Sequence, residues 1–178
     1  MSGAFVIDWT PVEDERGFFA RTWCAEEFAA HGLCTRLAQC SVSFNAKQGT
    51  LRGMHWQAAP HGEVKLVRCT RGAISDVIVD VRPASPTYCQ HVIVTLSAEN
   101  HAMLYIPAGF AHGFFHVWQK PLPRDGPSTQ QDLIDQILRV AVGKATRPLR
   151  QHVGPTRYRR FPLLRNFRDL AQPRAHIL

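Results

Sequence analysis

The chain predicts an all-β fold, an antiparallel sandwich or barrel. Two positive observations carry that expectation. Short apolar runs recur with turn residues roughly every ten positions, the spacing of sandwiches and barrels. Within the runs, side chains alternate. In "GAISDVIVDVR", Ile74, Asp76, Ile78 and Asp80 fall on one face, and Ser75, Val77, Val79 and Val81 on the other. A third observation excludes the main rival: no 10–15-residue helical patterns alternate with the strands, as a βαβ fold requires.

The elements follow in chain order. "CAEEFAAHG" predicts a short helix, with Glu26 and Glu27 in its first turn and Gly32 past its end. "KLVRCTRG" predicts a strand closed by glycine, and "GAISDVIVDVR" the next strand. "RPASPT" is a loop by composition, "QHVIVTLSAEN" a strand ending in a polar turn. "AMLYIPAGFAHGFFHVW" holds two strands around a Pro-x-Gly turn. After Trp118 the character changes. "QKPLPRDGP" is proline-rich, and "STQQDLIDQILRVAVG" predicts a helix over about residues 129–142. Ser128 and Gln131 form its capping box, Leu133, Ile134, Ile137, Leu138 and Ala141 its apolar face, and Gly143 its stop. The division is a core at 1–117 and a basic, Pro/Arg-rich segment at 118–178.

The formal charge of +7 is unevenly placed. Residues 1–117 carry 9 Lys+Arg against 10 Asp+Glu, whereas 118–178 carry 12 against 4 Asp, with no Glu. That bias fits a segment of foreign or frame-shifted origin. It also suits a nucleic-acid arm, but the aromatics there are few (Tyr158, Phe161, Phe167), so nucleic acid is not the expected partner. Five cysteines (Cys24, Cys34, Cys40, Cys69 and Cys89) without a C-x-x-C pair predict free thiols, mostly buried. No apolar run approaches the ~20 residues of a membrane span. The N-terminus has no basic start followed by an apolar stretch, so a cytoplasmic protein without a leader is expected.

Chemistry concentrates in "TLRGMHWQAAPHGEVKLVRCTRG", which holds Arg52, His55, His61, Glu63 and Lys65. Singly, an Arg or Lys is most often a solvated charge, and a His between apolar neighbours is most often structural. Together they suit an anionic ligand, since an Arg fork grips phosphate and a Lys adds a point charge. An imidazole suits general-base work. "PAGFAH", residues 107–112, fits the turn that aims a His into the mouth of a cupin jelly-roll. A metal-binding cupin would also carry His-x-His, and here Trp56 and Gln57 follow His55. Only His55, Glu63 and His112 remain as ligands, so no metal is expected.

Three stretches together carry a resemblance: "DERGFFARTW", "QCSVSFNAKQGTLRGMHWQAAPHGEVKLVRCTRGAISDVIVDVRPASPTY" and "LSAENHAMLYIPAGFAHGF". From residue 14 to 114 the chain resembles the dTDP-4-dehydrorhamnose 3,5-epimerase family. The resemblance implies a cupin-like jelly-roll, a homodimer, no cofactor and no metal. It implies an isomerase acting on a nucleotide-linked 4-keto-6-deoxyhexose, in deoxysugar and cell-surface polysaccharide synthesis. On the family's pattern His55 is the base and Lys65 stabilises the enolate oxygen. Arg16 and Arg52 serve the diphosphate, and His112 lines the sugar pocket. Leu37 and Gln39 stand where the family has Gln-x-Asn. "PTRYRRFPLL" follows a late family segment loosely, keeping Arg157 and placing Tyr158 where an Asp is usual. The family's acid is a Tyr soon after A-H-G-F, and no Tyr lies between Tyr105 and Tyr158. Trp118 to Pro155 matches nothing in the family.

Overall fold

Residues 1–47 and 49–116 are described by a computed structural model. The predicted 129–142 helix and the rest of the basic segment lie outside the described residues. Strands β1 (Phe5–Ile7), β2 (Val12–Asp14) and β3 (Gly17–Phe19) precede α1 (Ala25–Ala30). Then come β4 (Leu51–His55), β5 (Lys65–Arg68), β6 (Ala73–Asp80), β7 (His91–Ser97), β8 (Met103–Ile106) and β9 (Phe110–His116). They form a four-stranded sheet β4-β9-β6-β7, a three-stranded sheet β1-β8-β5 and the hairpin β2-β3. Every pairing is antiparallel. This is a cupin-like antiparallel jelly-roll.

Alternation on β6 explains how the sheets meet. Its even residues face inward, where Ile74 and Ile78 join Leu96 of β7, Leu104 and Ile106 of β8, and Phe110 of β9. Its odd residues Val77 and Val79 join Met54, Ala111 and Phe115 on the other face of the large sheet. β6 is thus buried on both sides, which is why a strand with two aspartates is otherwise nearly all apolar. Each fully buried aliphatic or aromatic side chain contributes about 1.5–3 kcal/mol.

Helix α1 packs on the outward side of the small sheet. Phe28 is buried and meets Trp23 and Tyr105 at ring distances of 6.1 and 6.2 Å. The chain beyond α1 is tied there by the Cys34 N–H, which donates to Tyr105 Oη at 3.0 Å. One expectation needs correction. The five thiols are free, but none is buried: Cys34 and Cys40 are exposed and the other three half-buried. All five lie outside the strands: at the helix start, in the segment between α1 and β4, just past β5 and in the β6–β7 loop. Among the described residues no helix is long and apolar enough to cross a membrane.

Candidate functional site

Strand β4 builds the site through an irregularity. Leu51 pairs with Phe115 and Arg52 with Phe114, but His55 pairs with His112, so one residue is extra between Arg52 and His55. Strict alternation would send Arg52 and His55 to opposite faces. The bulge puts both on the inward face, while Leu51 and Met54 stay with the other cluster. Two glycines permit it. Gly53 runs at φ +119, and a Cβ there would stand 2.5 Å from Gly113 Cα. Gly53→Ala is therefore expected to lower stability by about 1–3 kcal/mol through backbone strain and overlap. A thermal melt matching wild type would contradict this account of the bulge.

His55 thus stands directly across from His112, and His112 in turn pairs with Ile78 of β6. Directly paired residues share a face with Cβ atoms roughly 5 Å apart. One turn of the pleat along β6 sits Asp76, fully buried, with Oδ2 2.9 Å from His112 Nε2. Its Oδ1 is buried without a hydrogen-bond partner. Burial pushes the Asp76 carboxyl up, against the opposing pull of His112 and Lys65. Lys65 enters from the other sheet: it pairs with Ile106, whose side chain belongs to the inner cluster. Its Nζ lies 2.9 Å from Glu63 Oε1 and 3.5 Å from the His55 carbonyl oxygen. Glu63 also accepts from Gln57 Nε2 at 3.2 Å.

Arg52 is engaged locally. Its Nε donates to Asn45 Oδ1 at 2.7 Å and its Nη2 to the Phe44 carbonyl at 3.1 Å, tying the extended segment after α1 to β4. The pairings therefore put His55, His112 and Arg52 on the inner face of the large sheet, with Lys65 entering from the small one. Arg16 is at the β2–β3 turn, exposed and paired with Asp14, and Gln39 is exposed on the segment before β4. Arg157 lies outside the described residues. No three His, Cys, Asp or Glu side chains converge as a metal set among the described residues. Glu63 is taken by Lys65 and His112 by Asp76.

Asp76 was the residue that sequence reasoning missed as part of this site. The signal was present: a carboxylate on an inward, apolar strand face must find a partner or lose its charge. The folded chain holds the Asp76 proton more tightly than the unfolded chain does. Asp76 thus costs stability as pH rises above about 4. Asp76→Asn, which removes this titration, should gain in stability relative to wild type as pH rises from 3 to 7. Melting curves at the two pH values check it; equal effects at both would contradict the assignment.

The fold and site define a jelly-roll whose inner face carries a pair of histidines, a buried carboxylate and two cations. The sequence model of the dTDP-4-dehydrorhamnose 3,5-epimerase family matches residues 1–120, and the chain belongs to that family. It is 50% identical over 101 residues to the dTDP-4-dehydrorhamnose 3,5-epimerase of Sinorhizobium fredii, covering 57% of this chain and 52% of that one. The chain spans about half the length of the curated relatives it matches. Among solved structures, the Bacillus anthracis enzyme with TDP and PPi bound superimposes with TM-score 0.64 at 40% identity, covering 65% of this chain and 66% of that one. The Legionella pneumophila epimerase in complex with dTDP-4-keto-L-rhamnose gives TM-score 0.55 at 36% identity, covering 66% and 62%.

Proposed function

We infer that this chain is a nucleotide-sugar epimerase acting beside the ketone of a dTDP-4-keto-6-deoxyhexose. The observation that carries this reading is the His55–His112 pair on the inner face, with Lys65 reaching in from the facing sheet. A C4 ketone acidifies the hydrogens on C3 and C5. His55 takes one of them as a proton, the electron pair moves onto the ketone oxygen, and the Lys65 ammonium stabilises the resulting enolate. Such a preorganised charge is worth ~3–4 kcal/mol at the transition state. No redox step occurs, so the reaction calls for no cofactor, and we assign no metal. His112, oriented by Asp76, lines the sugar pocket. Arg52 and Arg16 serve the diphosphate, and Gln39 and Arg157 contact the substrate. The ligands of the related structures, TDP and a dTDP-4-keto sugar, support the substrate class.

The chain works as a cytoplasmic homodimer in this reading. Phe18, Phe19, Leu37, Val42 and Phe44 are exposed on the hairpin and segment that also carry Arg16 and Gln39. A second copy covering those side chains would remove an apolar surface that monomers seldom present. The test of function is incubation with dTDP-4-keto-6-deoxyglucose in deuterium oxide. Deuterium at C3 or C5 is the expected result, and a substrate left fully protonated would end this reading.

A further inference from the structure

The loop after β6 carries a second polar cluster, which the proposed chemistry does not use. Asp80 is fully buried at the end of β6. It accepts Nε and Nη2 of Arg82 at 2.9 and 2.7 Å, and the hydroxyls of Ser85 and Thr87 at 2.6 Å each. Burial pushes the Asp80 carboxyl up. The hydrogen bonds from Arg82, Ser85 and Thr87 outweigh it and hold the group well below the usual carboxylate range. Fixed in this way, the Arg82 side chain lies across the turn that launches β9. Its guanidinium carbon stands 4.5 Å from the centre of the Phe110 ring. Its stem lies so close to Gly109 that a Cβ there, at φ +84, would come within 2.5 Å of Arg82 Cγ. The backbone adds a bond from Val81 N–H to the Gly109 carbonyl at 3.0 Å, and Asp80 pairs with Phe110 in the ladder.

With a period of two along β9, the next inward residue after Phe110 is His112. We propose that Arg82 is a positioning residue for His112: by clamping Gly109 and Phe110 it sets the start of β9 and hence the reach of the imidazole to Asp76. This rests on the reading of His112 as part of the sugar pocket. A lysine could neutralise Asp80 but could not do the rest. It lacks the fork that bonds one carboxylate twice and the flat face that stacks on an aromatic ring. The proposal therefore separates charge from shape.

Arg82→Lys and Arg82→Ala test it, each first shown to be folded by circular dichroism. The first readout is the His112 imidazole in nitrogen–proton correlation spectra, assigned through His112→Asn. The second is kcat and KM for deuterium exchange into the dTDP-4-keto sugar. In Arg82→Lys the His112 Nε2 resonance should move toward that of an imidazole not bonded to a carboxylate. The kcat should fall roughly 10- to 100-fold with KM little changed, as when the sugar is held slightly out of line with the reacting groups. If Arg82→Ala does not fold, Arg82→Lys decides alone. A folded Arg82→Lys with the wild-type imidazole resonance and wild-type kcat would overturn the proposal and leave Arg82 a loop ion pair only. The imidazole readout does not need turnover. An inactive wild type would end the epimerase reading while the resonance still decides the role of Arg82.

Discussion

His55→Ala is expected to reduce deuterium incorporation at C3 and C5 to the uncatalysed background. The base is the one group the first step cannot do without, and a positioned general base is worth typically ~10²–10⁴-fold. The fold should survive, because His55 is exposed at its end of β4 and such substitutions usually change stability by less than about 0.5 kcal/mol. Lys65→Ala should cost about 10²–10³-fold in exchange, the loss typical of one donor to a developing oxyanion. It also removes the partner of Glu63, which is half-exposed and can be solvated instead. Measured by proton NMR of the sugar in deuterium oxide, undiminished exchange by His55→Ala would show that another group is the base.

The strands at the centre of this fold were legible because period-two alternation is local. β6 and β7 appear where the pattern puts them, and the inward face of β6 is the one that Ile74 and Ile78 mark. The helix was legible from its acidic first turn and its terminal glycine. β1, β2 and β3 were not identified individually, because three residues each are too few for a period to show. The site was half legible. Motif resemblance named His55, Lys65, Arg52 and His112, but alternation alone would have split Arg52 from His55. What unites them is the bulge at Gly53, and that depends on Gly113, a residue far away in sequence. The partners of Arg52 are equally non-local in kind: a side chain and a carbonyl on an irregular segment leave no periodic trace. The resemblance also groups Arg16 and Gln39 with the site; Arg16 is exposed and paired with Asp14 on the β2–β3 hairpin, and Gln39 is exposed on the segment before β4. A motif records which residues serve a site, not which copy or loop delivers them.

The last expected result is that exchange outruns inversion. Proton removal and return from one side gives exchange with the original configuration. Inversion also needs an acid on the opposite side of the sugar ring. By the motif resemblance the acid is expected to be a tyrosine soon after A-H-G-F, and this sequence has none between Tyr105 and Tyr158. Tyr105 cannot substitute. It projects to the outward side of the small sheet, against Phe5 and Phe28, and its hydroxyl accepts the Cys34 N–H. Tyr88 lies in the β6–β7 loop. Of the proton-bearing groups on the inner side, His55 and His112 stand side by side on neighbouring strands, Asp76 is bonded to His112, and His116 lies at the far end of β9. Lys65 comes from the facing sheet, where Glu63 holds it and the proposed chemistry gives it to the enolate oxygen. A base and its neighbour on the same sheet approach the sugar from the same side. Loss of a general acid costs typically ~10²–10⁴-fold, so C3 or C5 deuterium should appear that much faster than the inverted sugar. Proton NMR separates the two, because exchange erases a ring signal while inversion changes the couplings of its neighbours. Inverted product forming as fast as deuterium enters would mean that an acid is delivered from elsewhere, by residues beyond His116 or by a second copy of the chain.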